Sequence, residues 1–247
     1  MRRLILALLG FVSCFLFAGT IVATSSDNVV ILIDGSGSMQ HEIGNKDKMT
    51  AAKFALIPAL SMLTPETNFG CIVFSRSANG WVYPLSPFDR KEVWDSVREI
   101  EAGGNTPLGE YIKIAADELL RQREKNFNYG TYRLLIVTDG EATDDDLMRA
   151  YAKELVNRGI SLDVIGVGMS RAHTLKSLAN QYVAANDAKT LKEAVTTFLA
   201  EVPNPASGSQ ASENVYEILS IFGNDSGALS AIDALSAGGN QPLGESR

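Results

Sequence analysis

Short apolar runs alternate with helical patterns from residue 28 onward, and this alternation constrains the possible folds more than any other feature. The run Val29–Ile33 is apolar throughout and mostly β-branched, as expected for a strand that is covered on both faces. Further strands are predicted at 69–74, 81–83, 132–137, 160–167 and 182–184. Helices are predicted at 46–63, 89–100, 107–124, 144–158, 174–179 and 191–202.

Strands and helices of these lengths, in alternation, predict an α/β fold. The expected form is Rossmann-like and doubly wound, with a mostly parallel central sheet and helices on both of its faces. The short strand at 81–83 follows the strand at 69–74 after only a turn around Ser77–Gly80. It is therefore expected to be the one antiparallel edge strand.

The N-terminal segment predicts export. Arg2 and Arg3 precede an uncharged, mostly apolar run over residues 4–23. This is the pattern of a secretory signal peptide, yet about twenty apolar residues also suffice to span a bilayer. Residues 1–23 are thus interpreted as a cleaved signal peptide or an N-terminal membrane anchor, with a lipoprotein signal at Cys14 as a further alternative. The protein is expected to be periplasmic or extracellular, or attached to the membrane by residues 4–23.

The charge and the cysteine content of the chain bear on nucleic-acid binding and on disulfide formation. The formal net charge is −7, and removing Arg2 and Arg3 lowers it by two, to −9. An acidic protein has no electrostatic basis for binding nucleic acid. Cys71 would be the single cysteine of the exported protein, which leaves no internal disulfide. Its position in an apolar run favours a packed side chain over a reactive thiol.

Oxygen-bearing side chains follow two of the predicted strands and one glycine loop. Asp34, Ser36 and Ser38 come directly after the first strand, and Asp139 follows the strand at 132–137. Thr106 lies in the loop Gly-Gly-Asn-Thr-Pro, just before a helix. The carboxyl ends of parallel strands meet at one edge of a sheet, where ligands bind. Two carboxylates and three hydroxyls are hard oxygen donors of the kind that Mg²⁺ prefers.

The order Asp34-x-Ser36-x-Ser38, then Thr106, then Asp139 resembles the metal-ion-dependent adhesion site of von Willebrand factor A domains. The flanking residues are similar to bacterial secreted or membrane-anchored members, and all five metal positions are filled. The resemblance implies that the serines and the threonine are inner ligands of Mg²⁺, or of Mn²⁺ or Ca²⁺. The aspartates would complete or orient the shell. It also implies that the open metal position takes an exposed acidic side chain of a protein partner.

Binding rather than catalysis is predicted, so no catalytic residues are assigned. The glycine loop lacks the lysine of a phosphate-binding loop, and a Gly-x-Ser-x-Gly elbow is absent from the sequence. His41 and His173 are expected to be surface histidines, and no lysine is expected beside the metal. The favoured function is an extracytoplasmic adhesion or scaffold module. The alternatives are a structural or regulatory subunit of an envelope-associated assembly and, less favoured, a magnesium-dependent hydrolase.

Two smaller clusters allow alternatives. Asp144–Asp146 is expected to begin a helix, where carboxylates accept hydrogen bonds from free N–H groups, but it could also form a second cation site. Trp81 and Tyr83 alternate along the short strand. They are expected to pack in the core or at the sheet edge, with an exposed aromatic contact as the alternative.

The resemblance covers residues 28–202, which are predicted to form the von Willebrand factor A domain. The segment 203–214 is a linker by composition, rich in proline and serine. The remaining residues, 215–247, are predicted to be a C-terminal tail because they are too few for an independent core.

The tail carries a partial repeat of residues 89–110. Residues 237–245 match residues 102–110 at eight of nine positions, and apolar residues upstream align with the helical stripe before that loop. Gln241 stands where the loop has Thr106. The copy therefore lacks the ligand hydroxyl. It is interpreted as a duplication remnant or as a segment that competes for the surface covered by residues 89–110.

Overall fold

Strands and helices alternate along residues 27–200, the part of the chain that this computed structural model describes. The strands are β1 (Asp27–Gly35), β2 (Glu42–Ile43), β3 (Lys46–Asp47), β4 (Asn68–Ser75), β5 (Asn79–Pro87), β6 (Thr131–Thr138), β7 (Ser161–Val167) and β8 (Gln181–Ala185). The α-helices are α1 (Lys48–Leu60), α2 (Arg90–Val97), α3 (Leu108–Lys125), α4 (Asp145–Asn157) and α5 (Ala188–Ala200). Short 3₁₀ segments lie at Gly37–Gln40 and Thr174–Ser177.

The main sheet has the strand order β5-β4-β1-β6-β7-β8. Its pairs are parallel except for β4 and β5, which run antiparallel at one edge. The predicted α/β fold, with a mostly parallel sheet and one antiparallel edge strand, is confirmed. Parallel order brings the carboxyl ends of β1 and β6, the two central strands, to the same rim of the sheet.

Each face of the sheet is covered by helices, which explains why β1 is apolar at successive positions. Val29, Ile31 and Ile33 belong to the core that includes α1 and α5. Val30 and Leu32 point to the other side, into the core that includes α3 and α4. Successive side chains of a strand face opposite sides, so a strand buried on both faces requires apolar residues throughout.

The helix predicted from residue 46 begins two residues later, at Lys48. Residues 42–47 instead form the antiparallel pair β2–β3. The Asp47 side chain accepts a hydrogen bond of 2.8 Å from the Thr50 N–H and thereby caps α1. Lys48 is therefore the first residue of α1, and its side chain takes part in the candidate site.

Cys71 and the aromatic residues of β5 are packed, as their patterns indicated. Cys71 is fully buried, and burial raises the pKa of its thiol to about 12, which keeps it in the unreactive thiol form. Tyr83 is buried, and its hydroxyl donates to the Pro87 carbonyl at 2.9 Å. Trp81 is half-buried against the core on the α3 and α4 side.

Within residues 27–200, none of the helices is long and apolar enough to cross a membrane. The predicted signal peptide or anchor at 1–23, the linker at 203–214 and the tail at 215–247 all lie outside the described residues. These assignments therefore stay predictions.

Candidate metal centre

The candidate metal residues lie at the rim where β1 and β6 end. Ile33 is paired with Val137 in the parallel register, so the next residues, Asp34 and Thr138, are neighbours. Asp139 follows one position beyond the strand end. The structure therefore brings both predicted carboxylates to the same rim, although more than a hundred residues separate them in sequence.

Asp34 is fully buried and orients the loop that follows it. Its Oδ1 accepts a hydrogen bond of 2.8 Å from the Ser36 N–H, and its Oδ2 accepts one of 2.6 Å from the Thr138 hydroxyl. Burial raises the pKa of Asp34 above its ordinary value, and this effect exceeds the lowering by these hydrogen bonds. Because each carboxylate oxygen accepts a hydrogen bond, the Asp34 side chain holds Ser36 and Thr138 in place at the rim.

Ser36, Ser38 and Asp139 form a chain of oxygen contacts. The Ser38 hydroxyl donates to Asp139 Oδ1 at 2.6 Å. Because that bond uses the single hydroxyl hydrogen of Ser38, Ser36 is the donor in the 3.0 Å contact between the two serine hydroxyls. Three of the five predicted ligand residues are therefore linked in a chain through Ser38.

The second oxygen of Asp139 accepts a hydrogen bond from a residue that the sequence analysis missed. Lys48 Nζ lies 2.8 Å from Asp139 Oδ2, and the two side chains are 10% and 0% exposed. The expectation that no lysine lies beside the metal residues is therefore wrong. The ammonium group is engaged with the carboxylate and is not a free base.

Thr106 is buried in a glycine loop that is bonded to the loop after β1. The Gly103 N–H donates to the Gly35 carbonyl at 2.7 Å, and the Gly37 N–H donates to the Gly104 carbonyl at 3.1 Å. Gly104 has a φ of +103°, a conformation that other residues rarely adopt. These two backbone bonds bring the threonine-bearing loop alongside the two serines.

The same loop is also fixed to the loop after Asp139. The Thr143 N–H donates to the Thr106 carbonyl at 2.8 Å. The two oxygens of Asp144 accept bonds of 2.9 Å each from the N–H groups of Gly109 and Glu110, in the first turn of α3. Asp144 was expected to cap its own helix, but it makes no such bond and caps α3 instead.

This capping requires a close approach of the two helices. A Cβ atom at Gly109 would lie 2.4 Å from the Met148 backbone nitrogen and 2.8 Å from Asp144 Oδ2. Only glycine at this position leaves room for α3 and α4 to approach so closely. The glycine thus supports the bonds that hold the Thr106 loop.

His173 is buried behind the Asp139 loop, so the expectation of a surface histidine is wrong for this residue. Its Nδ1 accepts a hydrogen bond of 3.0 Å from the Leu175 N–H, and its Nε2 lies 3.8 Å from Glu141 Oε2. Burial lowers the pKa of His173 below its ordinary value, more than the nearby Glu141 raises it. His41 is exposed, as expected.

The donor set can be tested against the geometry of a small divalent ion. Within residues 27–200, no group of three or more histidine, cysteine, aspartate or glutamate side chains is arranged to hold a metal. The rim instead combines two carboxylates with hydroxyls. Octahedral ligands at about 2.1 Å from Mg²⁺ lie about 3.0 Å from their neighbours. The Ser36–Ser38 hydroxyl separation of 3.0 Å fits such a pair.

Comparison with known proteins identifies relatives of this region. Human collagen alpha-5(VI) chain is 26% identical over 174 residues, which are 68% of this chain and 7% of the collagen chain. Human inter-alpha-trypsin inhibitor heavy chain H4 is 32% identical over 174 residues, which are 66% of this chain and 18% of that protein. The matched region is thus a small part of each of these relatives.

Solved structures share the fold. A von Willebrand factor type A protein from Catenulispora acidiphila has a TM-score of 0.60 at 23% identity, covering 72% of this chain and 43% of that one. Proximal thread matrix protein 1 from the mussel byssus, solved with a zinc-occupied metal-ion-dependent adhesion site, has a TM-score of 0.57 at 17% identity. That match covers 72% of this chain and 48% of the mussel chain. Residues 28–199 match the family model, and the chain therefore belongs to the von Willebrand factor type A domain family.

Proposed function

We propose that this chain is an extracytoplasmic adhesion or scaffold module that holds Mg²⁺ at the rim of its sheet and binds an acidic side chain of a partner protein. The observation that carries the proposal is the contact chain Ser36–Ser38–Asp139, with separations of 3.0 and 2.6 Å. Oxygens this close to one another, at the carboxyl end of a parallel sheet, suit neighbouring ligands of one small ion.

The proposed ligand residues have different roles. Ser36, Ser38 and Thr106 would supply neutral hydroxyl oxygens, and Asp139 a carboxylate oxygen. Asp34 uses both of its oxygens to hold the Ser36 N–H and the Thr138 hydroxyl, so it orients the ligand loop. When bound, the ion supplies an electrophilic centre that attracts a carboxylate oxygen from outside the protein.

The relatives support a binding function. They are a collagen chain and an inter-alpha-trypsin inhibitor heavy chain by name, and the family is known for protein-binding adhesion, with a metal-ion-dependent adhesion site in some members. The mussel protein of the same fold was solved with zinc at such a site. Mg²⁺ is proposed over zinc for this chain because its donors are oxygens, without cysteine or histidine among them.

Hydrolysis is the weaker reading because the two buried basic groups near Asp139 are already bonded. Lys48 pairs as an ammonium with Asp139, and His173 Nδ1 already accepts from a backbone N–H. A general base has to be free to take a proton from water or substrate. The described residues around Asp139 therefore favour binding.

Calorimetric titration of the full-length chain with Mg²⁺ tests the site. We expect one binding site, which Asp139→Ala and Ser36→Ala abolish. Asp117→Ala and Ser96→Ala are the matched controls. Asp117 is exposed on α3 and bonded to Lys113, and Ser96 is half-buried on α2 and bonded to the Glu92 carbonyl. Affinities that stay equal in the site variants and the controls would reject the site.

Export is proposed from residues 1–23, in agreement with the extracellular nature of the named relatives. A reporter that is active only in the periplasm, fused after Pro203, should give signal. Deletion of residues 4–23 should remove that signal. Substitution of Cys14 by alanine should leave the signal unchanged, and it should abolish lipid attachment only if the segment is a lipoprotein signal. Reporter activity confined to the cytoplasm would contradict export.

A further inference from the structure

The Lys48 side chain enters the candidate metal centre from the first residue of α1. Its backbone N–H is held by the His41 carbonyl at 2.9 Å, and its Nζ lies 2.8 Å from Asp139 Oδ2. A Cβ atom at Gly168, just after β7, would lie 3.0 Å from Lys48 Cε. The lysine stem therefore runs through a narrow space that a larger residue at position 168 would obstruct.

The ion pair changes the charge of the site. Asp34 and Asp139 contribute two negative charges when ionised, and the hydroxyls contribute none. Lys48 contributes one positive charge, so the group carries a net charge of −1 rather than −2. The pair is nearly dry, because its two side chains are 10% and 0% exposed, and its charges are poorly screened by water.

One positive charge so close to a divalent ion has two opposite consequences. It repels the ion and so weakens metal affinity. It also leaves a bound ion with an uncompensated positive charge, which strengthens the attraction for an external carboxylate. Asp139 pairs with the ammonium even without a metal, so the buried carboxylate is not left unpaired in the metal-free protein.

We infer that Lys48 is a specificity-determining residue of the metal centre. It lowers the affinity of the site for the metal and raises the affinity of the metal-loaded protein for an acidic ligand. This inference rests on the proposed function. A purely structural lysine that only fastens α1 to the Asp139 loop would behave differently, since its loss would misplace Asp139 and weaken metal binding and acidic-ligand binding together.

Two measurements on the full-length chain separate these roles. Mn²⁺ affinity is measured by electron paramagnetic resonance of free Mn²⁺. The affinity of Mn²⁺-loaded protein for N-acetylaspartate is measured by water proton relaxation. In Lys48→Met, we expect Mn²⁺ to bind about tenfold more tightly and N-acetylaspartate about tenfold more weakly, as the loss of one nearby charge implies.

The controls isolate the charge. Lys48→Arg keeps it and should stay close to wild type in both affinities. Lys53→Met removes the same charge farther along α1, where Nζ is bonded to the Arg98 carbonyl, and should change neither affinity. Lys48→Gln keeps a hydrogen-bond donor without the charge, and should resemble Lys48→Met with less disturbance of packing.

The outcomes decide between the roles. Tighter Mn²⁺ binding with weaker N-acetylaspartate binding supports the inference, and so do variants that fold only when Mn²⁺ is added. Unchanged or weaker Mn²⁺ binding in both uncharged variants overturns it, as does failure of both to fold in saturating Mn²⁺. Absence of Mn²⁺ binding in the wild-type protein would instead reject the proposed function itself.

Discussion

The two buried carboxylates of the rim are stabilised in different ways. Asp34, at the end of β1, accepts hydrogen bonds from the Ser36 N–H and the Thr138 hydroxyl, and both donors lie at the same rim. Asp139, one residue beyond β6, accepts one bond from a hydroxyl and one from a lysine that arrives from α1. The first is held by neutral dipoles and the second by a countercharge. One carboxylate therefore serves mainly to shape the loop, whereas the other sets the charge of the site.

The largest expected effect on stability is at Asp139. Asp139→Asn leaves the Lys48 ammonium buried without its countercharge and should lower the free energy of unfolding by about 3 kcal/mol in chelator. Adding Lys48→Met to this variant should recover most of the loss. Urea unfolding of the wild type, both single variants and the double variant gives the coupling energy. A coupling near zero would mean that the ion pair contributes nothing to the metal-free protein.

Asp34 should show a smaller loss of stability and a weaker coupling to the lysine. Asp34→Asn replaces one accepting oxygen with an NH₂ group, so either the Ser36 N–H or the Thr138 hydroxyl loses its buried acceptor, which should cost about 2 kcal/mol. Combined with Lys48→Met, the coupling energy should be well below that of Asp139, because both Asp34 oxygens accept from other groups. The same urea experiment measures this coupling energy, and a value as large as that of Asp139 would contradict the distinction between the two carboxylates.

A third test concerns the cap that joins the Asp139 loop to the Thr106 loop. Asp144→Ala should lower stability by about 1 kcal/mol through loss of the α3 cap. It should also weaken Mg²⁺ binding in calorimetry, because the Thr106 loop loses a support. Asp89→Ala is the control, since Asp89 caps α2 through a 2.9 Å bond from the Glu92 N–H. It should cost similar stability without a change in Mg²⁺ affinity.

The smallest expected effect concerns a third carboxylate, in the tail. We propose that residues 203–247 compete for the surface of residues 89–110, with Glu245 as a weak internal ligand of the metal. Deleting the tail should raise the affinity of the Mn²⁺-loaded protein for N-acetylaspartate by a few-fold. Glu245→Gln should reproduce part of the rise, and Glu213→Gln serves as the control. Equal affinities with and without the tail would leave the duplication remnant as the explanation.

Local pattern was enough to predict the sheet and the residues of the rim. The apolar run of β1 indicated burial on both faces, and the spacing of Asp34, Ser36 and Ser38 indicated a loop with converging oxygens. Their assignment as metal ligands stays a prediction. The parallel direction of the strands followed from alternation with helices, because parallel strands need helical crossovers.

Contacts that depend on how distant elements pack could not be predicted. Lys48 reaches Asp139 from the first residue of α1, 91 positions earlier in the chain, and nothing near Lys48 in sequence indicates that contact. Asp144 has the sequence position of a cap for its own helix, and its bonds to α3 depend on the close approach at Gly109. His173 follows a polar stretch, and its burial arises from the Asp139 loop packed over it.

The direction of β1 has a mechanical consequence. The strand begins at Asp27, paired with Thr131, and ends beside the candidate metal rim. The α5 helix also ends near the opposite rim, where the Arg133 side chain donates to the Phe198 carbonyl at 3.1 Å. A partner that pulls on the metal while the chain is held before residue 27 would therefore load β1 along its own axis. Its backbone hydrogen bonds to β4 and β6 would bear that force together, in shear, rather than open one at a time.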